Sequence, residues 1–189
     1  MSHNFLWNAN FHSLLKAMDQ DLADQAQQEG CPGCGHKLHQ ANYPRSPLGM
    51  PLHFRSYYDE RLSYCCEMCR QRMTPASVRF FGRRWYPGPL FVLISALLRG
   101  ITESLLRQIK GIFGIFITAS TLKRWQQWWC EEFPMTLFWK QASGLIPPRD
   151  LQRSFPRALL AFFQGNLEEK ICYLLQFLSP LTRGVLQAF

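Results

Sequence analysis

Apolar residues recur at three- and four-residue intervals near the start of the chain. Phe5, Leu6, Phe11, Leu14, Leu15, Met18, Leu22 and Ala26 predict an amphipathic helix over residues 5–29 that ends before Gly30. Its other face carries Asp19, Asp21 and Asp24, which lack the glycine and terminal glutamate of a calcium loop and are read as solvated. Residues 43–51 are rich in turn formers. Short alternating runs follow, at Leu62-Ser63-Tyr64 and at Val78, Phe80 and Trp85 with a turn at Gly82, and these predict a strand and then a hairpin.

From Pro89 the helical period returns. Leu90, Phe91, Leu93, Ile94, Leu97 and Leu98 predict a largely buried helix stopped at Gly100. Thr102 can cap a second, which runs through Leu105, Leu106 and Ile109 to the glycines at 111 and 114. Thr118 or Ser120 caps a third, over Thr121–Cys130, with Leu122, Trp125 and Trp129 spaced to face a core. Phe133–Ala142 reads as a further helix or its tail, Pro147-Pro148 as a break, and 156–164 and 167–178 as two last helices, stopped by Pro180. The fold class is therefore α+β: a small β-rich unit followed by an all-α region. Four segments follow from this pattern: an N-terminal helix (1–30), a β-rich segment with a basic hairpin (31–87), a helical hairpin region (88–142) and a helical tail for packing or oligomerisation (143–189).

A hydrophobic share of 47% in 189 residues is that of a folded chain. The longest apolar runs, Pro89–Leu98 and Gly111–Ala119, fall well short of the roughly 20 residues that a membrane helix needs. The N-terminus lacks the basic and apolar regions of a signal peptide. A cytoplasmic protein with no membrane partner is expected. Lysine and arginine exceed aspartate and glutamate by 21 to 13, for a net charge of +8. The excess lies in residues 37–84, where nine basic side chains face three acidic ones, and in 85–124, where five face one. Such a distribution suits an anionic partner.

The cysteines supply the most specific chemistry. Cys31-Pro-Gly-Cys34-Gly and Cys66-Glu-Met-Cys69 are two Cys-x-x-Cys pairs separated by 31 residues. Each pair offers two sulfurs from one turn, and four sulfurs close a structural zinc site, so one Zn²⁺ on Cys31, Cys34, Cys66 and Cys69 is expected. Cys65 is the rival to Cys66, although Cys66 has the two-residue spacing a knuckle turn prefers. His36 and His39 offer a Cys₃His alternative that four well-spaced thiols make unnecessary. A redox dithiol would need one pair at a helix start rather than two pairs far apart.

Arg70, Arg72, Arg79, Arg83 and Arg84 interleave with aromatic residues after the second pair, a composition suited to phosphates and bases. The second and third helices around the glycine turn have helix-turn-helix connectivity. Ser120, Thr121, Lys123, Arg124 and Gln127 then face outward, where lysine and arginine reach phosphate or guanine and glutamine can read adenine.

The run Cys-Pro-Gly-Cys-Gly followed by Tyr64-Cys-Cys66-Glu-Met-Cys69-Arg-Gln-Arg-Met-Thr, a hairpin and an apolar helix resembles the N-terminal zinc ribbon and helix-turn-helix region of bacterial insertion-sequence transposases. The likeness covers about residues 31–130, is specific in the knuckles and generic in the helices, and implies DNA binding at element ends. Met73 stands where that family usually has an aromatic residue, and the catalytic half is missing. Beyond residue 130 the acids are Glu131, Glu132, Asp150, Glu168 and Glu169, in a stretch with little strand character, which does not make a two-metal nuclease site. A non-catalytic DNA-binding protein is expected, an accessory or regulator of a mobile element. Its apolar C-terminal helices would pack back on the core or bind a second copy or a transposase-like protein. The alternative is a protein-interaction adaptor in which the ribbon is a scaffold and those helices bind the partner.

Overall fold

The computed structural model describes residues 4–50, 52–81, 86–97, 101–145 and 155–186. The chain forms two compact units, residues 1–88 with 176–189 and residues 89–175. The expected α+β class is observed.

In the first unit a 3₁₀ turn, Asn4–Trp7, leads into helix α1, Ala9–Glu29. The Asn8 side chain accepts from the Asn10 backbone N–H at the N-terminus, and Gly30 ends the helix at a φ of 78°. The buried stripe is Phe11, His12, Leu15, Asp19, Ala23 and Ala26. Leu14, expected inside, is 48% exposed, whereas Asp19, expected in water, is 1% exposed. The helical period is the expected one, and the buried stripe is rotated slightly, from Leu14 toward Asp19 and Ala23.

Strands β1 (Leu38–Gln40), β4 (Tyr64–Cys66), β5 (Arg72–Thr74) and β6 (Gly184–Leu186) make an antiparallel sheet in that order, while β2 (Tyr43–Pro44) pairs with β3 (Glu60–Arg61). Leu38 pairs with Cys66, His39 with Cys65, and Gln40 with Tyr64. Because side chains alternate across a strand, Tyr64 and Cys66 point to the core and Cys65 to the other face. Helix α1 covers that core, where Ala23, Ala26, Cys31, Leu38, Leu62, Tyr64, Cys66 and Met73 cluster. The Tyr64 hydroxyl donates to the Ala23 carbonyl at 3.0 Å and the Gln27 side-chain amide to the Leu38 carbonyl at 3.1 Å. Met73, the departure from the resembled pattern, occupies a buried position that asks only for an apolar side chain.

One expectation changes here. The tail expected to be helical also supplies a strand, β6, which pairs with β5 in the register Arg72–Leu186, Met73–Val185 and Thr74–Gly184. Of the hairpin expected after Thr74, the described residues show the two arms joined by an antiparallel bridge between Phe80 and Pro87 and by the Gly88 N–H donating to the Arg79 carbonyl at 2.7 Å. Its turn at Gly82, with Arg83, Arg84 and Trp85, lies outside the described residues.

In the second unit, α2 (Gly88–Leu97) is apolar and buried from Leu90 to Ala96, and the Arg157 guanidinium donates to the Ala96 carbonyl near its C-terminal end. Helix α3 (Glu103–Phe113) is capped by Thr102 and ends at Gly114, whose φ of 65° is left-handed. Helix α4 (Ala119–Gln127) is capped by Thr118, whose hydroxyl accepts from the Thr121 N–H. It continues through a π-turn, Trp128–Glu132, into α5 (Phe133–Met135), with the Phe133 N–H donating to the Trp128 carbonyl five residues back. The wider turn keeps Trp125, Trp129 and Phe133, four residues apart, on one buried side. Phe91 stacks on Trp129 at 5.6 Å, and Trp139 of α6 (Leu137–Ala142) and Phe155 complete the aromatic core around Phe133. Helices α7 (Arg157–Phe162) and α8 (Leu167–Leu178) follow.

Candidate metal centre

The two cysteine pairs sit on two turns of the same construction. Cys31 N–H donates to the carbonyl of His36 and Cys66 N–H to that of Gln71, each five residues on, at 2.9 and 3.0 Å. The residue after each second cysteine is left-handed: Gly35 has a φ of 73° and Arg70 a φ of 57°. Glycine adopts this freely, whereas arginine does so at some cost, so the second knuckle accepts strain to match the first. A Cβ at Gly30 would lie 2.9 Å from the Gly35 carbonyl oxygen, which explains the glycine at the entry to the first knuckle.

These turns bring four sulfurs together. Cys31 Sγ lies 3.5 Å from Cys69 Sγ and Cys34 Sγ lies 3.4 Å from Cys66 Sγ, and all four are within 4.8 Å of one another. Sulfurs held tetrahedrally at about 2.3 Å from one zinc ion would be about 3.8 Å apart, within this spread. The donor set therefore fits a single metal ion. Cys31 and Cys66 are buried and Cys34 and Cys69 exposed, so the centre lies at the edge of the core, closed on the α1 side.

The other candidates are elsewhere. Cys65 Sγ turns toward the Arg70 carbonyl, 3.6 Å away, on the face opposite Cys66. His36 Nδ1 is 3.0 Å from the Cys34 carbonyl oxygen, and His39 Nε2 is 3.1 Å from Glu67 Oε2. The thiols influence one another. Burial would raise Cys66, but N–H groups of Cys69 and Met68 and the neighbouring thiols bring it down to about 6. Against the pull of the Gln71 backbone, desolvation and the thiols of Cys31 and Cys66 push Cys69 up to about 12.

The basic residues expected to meet nucleic acid divide into two groups. Arg70 and Arg72 are exposed beside the second knuckle, with Arg72 donating to the Ala41 carbonyl at 2.7 Å and lying over the Tyr43 ring at 5.7 Å. On α4, Ser120, Lys123, Arg124 and Gln127 are exposed and Thr121 is half-buried, while Leu122, Trp125 and Trp129 are buried. Arg124 donates to the Thr121 hydroxyl at 3.3 Å and Gln127 to Glu131 at 2.9 Å.

Arg79 must be removed from the surface list. It is 2% exposed, its Nε donates to Asp19 Oδ2 at 2.8 Å, and its Nη1 donates to the Tyr57 carbonyl. Asp19 also accepts from the Ser77 hydroxyl and the Val78 N–H, both at 2.6 Å. Burial of a guanidinium is tolerable with such a partner, and the pair stitches α1 to the segment after β5. Sequence periodicity missed Asp19 because an acid on a helix is ordinarily assigned to water. Its four-residue step from Leu15 is the signal that could have found it.

Compared with protein-family models, with curated proteins and with solved structures, the chain finds no match. Among the described residues, no helix is long and apolar enough to cross a membrane.

Proposed function

We propose that this chain is a zinc-stabilised DNA-binding protein without catalytic activity of its own. The observation that carries the reading is the sorting of α4. One side supplies an aromatic core, and the other presents Ser120, Lys123, Arg124 and Gln127 after a turn that begins at left-handed Gly114 and ends at the Thr118 cap. In this reading zinc, bound by Cys31, Cys34, Cys66 and Cys69, closes the two knuckles and serves structure alone, since four thiolates leave no coordination position for water or substrate. Arg70 and Arg72 hold phosphates, and the exposed side of α4 enters the major groove. The knuckles' resemblance to insertion-sequence transposases supports an accessory or regulatory role at a mobile element.

The test is binding of the zinc-loaded chain to random duplex DNA by fluorescence anisotropy at several salt concentrations. Each engaged cation should contribute roughly 0.9 to the slope of log affinity against log salt. Lys123→Gln and Arg124→Gln should each lower that slope by about one and weaken binding across sequences. Binding that survives metal removal with the fold intact, or that is indifferent to both substitutions, refutes the reading.

Exposed apolar side chains in the second unit favour the adaptor alternative. Met135 is 69%, Leu137 71% and Phe162 45% exposed. In that case polar substitution at Phe162 and Phe163 abolishes function while charge reversal at Lys123 and Arg124 leaves it unchanged.

A further inference from the structure

Gln71 stands in the second knuckle where His36 stands in the first. Its carbonyl accepts from the Cys66 N–H at 3.0 Å, as that of His36 accepts from Cys31. Its own N–H donates to the Cys69 sulfur, as that of His36 does to Cys34. The side chains break this symmetry. The His36 ring stays in its own knuckle, with Nδ1 3.0 Å from the Cys34 carbonyl oxygen. The half-buried Gln71 side chain instead crosses to the first knuckle, where its amide oxygen lies 3.9 Å from Cys31 Sγ.

The first knuckle leaves room for that amide. A Cβ at Gly33 would lie 2.7 Å from the Gln71 amide oxygen and 3.9 Å from Cys31 Sγ. Gly33 is not among the left-handed glycines, as Gly35 is, so backbone conformation does not call for it. The Gln71 amide occupying the place of a side chain does. The crossing also meets a chemical demand. Four thiolates on one Zn²⁺ leave a net negative charge, and Cys31 is 4% exposed, so water does little to stabilise its share. A thiolate has no proton to give: beside it an amide oxygen is repelled and an amide N–H attracted. The two ends of a glutamine amide have nearly the same shape and exchange by a half-turn of the terminal bond.

We propose that Gln71 is the positioning residue of the zinc centre, its Nε2–H donating to the Cys31 thiolate and so clasping the first knuckle to the second. Together with its backbone contacts to Cys66 and Cys69, this one residue braces three of the four ligands. Donors outside the ligand set orient the ligands and spread their charge, and their loss typically lowers metal affinity about 10–100-fold. The inference rests on the zinc reading and is independent of DNA binding.

The experiment is competition for zinc between the full chain and a chromogenic chelator, joined to absorption spectra of the cobalt-loaded chain. Gln71→Met keeps the length of the side chain and loses the donor, and should weaken zinc binding about tenfold. Gln71→Glu keeps the shape but sets a carboxylate beside the thiolates, and should weaken it about a hundredfold. In both, the sulfur-to-cobalt charge-transfer band should move to longer wavelength, because a thiolate without its donor gives up an electron more easily. Gly33→Ala should push the amide away and cost as much as Gln71→Ala, and the two together should cost no more than either alone. Unchanged affinity in Gln71→Met and Gln71→Glu, weaker binding with an unshifted band, or additive losses from Gly33→Ala and Gln71→Ala each overturn the clasp while leaving the four-sulfur site standing. A parent chain that binds no stoichiometric zinc overturns the site and the clasp together.

Discussion

Replacing Asp19 by alanine should be the most damaging single change outside the metal ligands. The carboxylate side chain is 0% exposed and accepts three hydrogen bonds, from Ser77 Oγ, Val78 N and Arg79 Nε, at 2.6, 2.6 and 2.8 Å. Its loss strands the Arg79 guanidinium, whose side chain is 3% exposed. Breaking a buried pair from one side costs about 3–5 kcal/mol, and an orphaned buried N–H adds about 1–3 kcal/mol. The total is comparable with the roughly 5–15 kcal/mol by which whole domains are stable, so the first unit should be largely unfolded. The double variant Asp19→Leu, Arg79→Met removes both charges and should lose only the smaller part, which makes it more stable than Asp19→Ala alone by about 3 kcal/mol. Urea titration of the metal-loaded chain measures this, with far-UV circular dichroism following the whole and metal release to a colorimetric chelator following the unit that holds the cysteines. If Asp19→Ala costs less than about 1 kcal/mol, or if the double variant is as unstable as the sum of the singles, the pair does not hold the unit together.

Four further outcomes are expected. His12 is buried, its Nε2 donates to the Leu6 carbonyl, and its Nδ1 therefore accepts from the Tyr58 hydroxyl. Burial holds this imidazole below its ordinary value more than the Leu6 carbonyl raises it, and His53 adds to the lowering. The unfolded chain then takes up the proton first. The stabilisation is complete above about pH 6.5 and is lost as the pH falls through the lower folded value. His12→Leu should flatten that limb in unfolding titrations between about pH 7.5 and 5. At the knuckles, Gly35→Ala forces a Cβ into the left-handed region at a φ of 73° and should cost about 1–2 kcal/mol. Arg70→Gly, by contrast, releases strain at 57° that roughly offsets the entropy glycine adds to the unfolded chain, so its midpoint in urea should scarcely move. Thr118→Ala removes the α4 cap and should destabilise the second unit by about 1 kcal/mol, read as an earlier transition in tryptophan fluorescence.

Local signals in the sequence carried far. The Cys-x-x-Cys spacing identified the four gathered sulfurs, and strand alternation explains why Cys66, not its neighbour Cys65, joins them. Gly30 and Thr102 marked helix ends because capping chemistry is written in the residues themselves, and of the pairs that the sequence left open, Gly111 or Gly114 and Thr118 or Ser120, the fold uses Gly114 and Thr118. Long-range pairings were not legible. That Asp19 waits for Arg79, sixty positions along the chain, depends on the segment between them folding back, and no periodicity encodes a partner at that distance. The pairing of Gly184–Leu186 with β5 is likewise set by the sheet edge, since three residues after a proline-ended helix carry no strand pattern of their own. Arg61 and Arg79 look like their exposed neighbours in sequence, and only tertiary burial separates them.

The central claim is the metal centre, and metal analysis joined to X-ray absorption of the purified chain tests it most directly. One zinc per chain is predicted, with four sulfur ligands at about 2.3 Å. The metal should be retained in Cys65→Ser and lost in Cys66→Ser. A chain that folds without stoichiometric metal, a first shell containing nitrogen, or loss of metal from Cys65→Ser with retention in Cys66→Ser would contradict it.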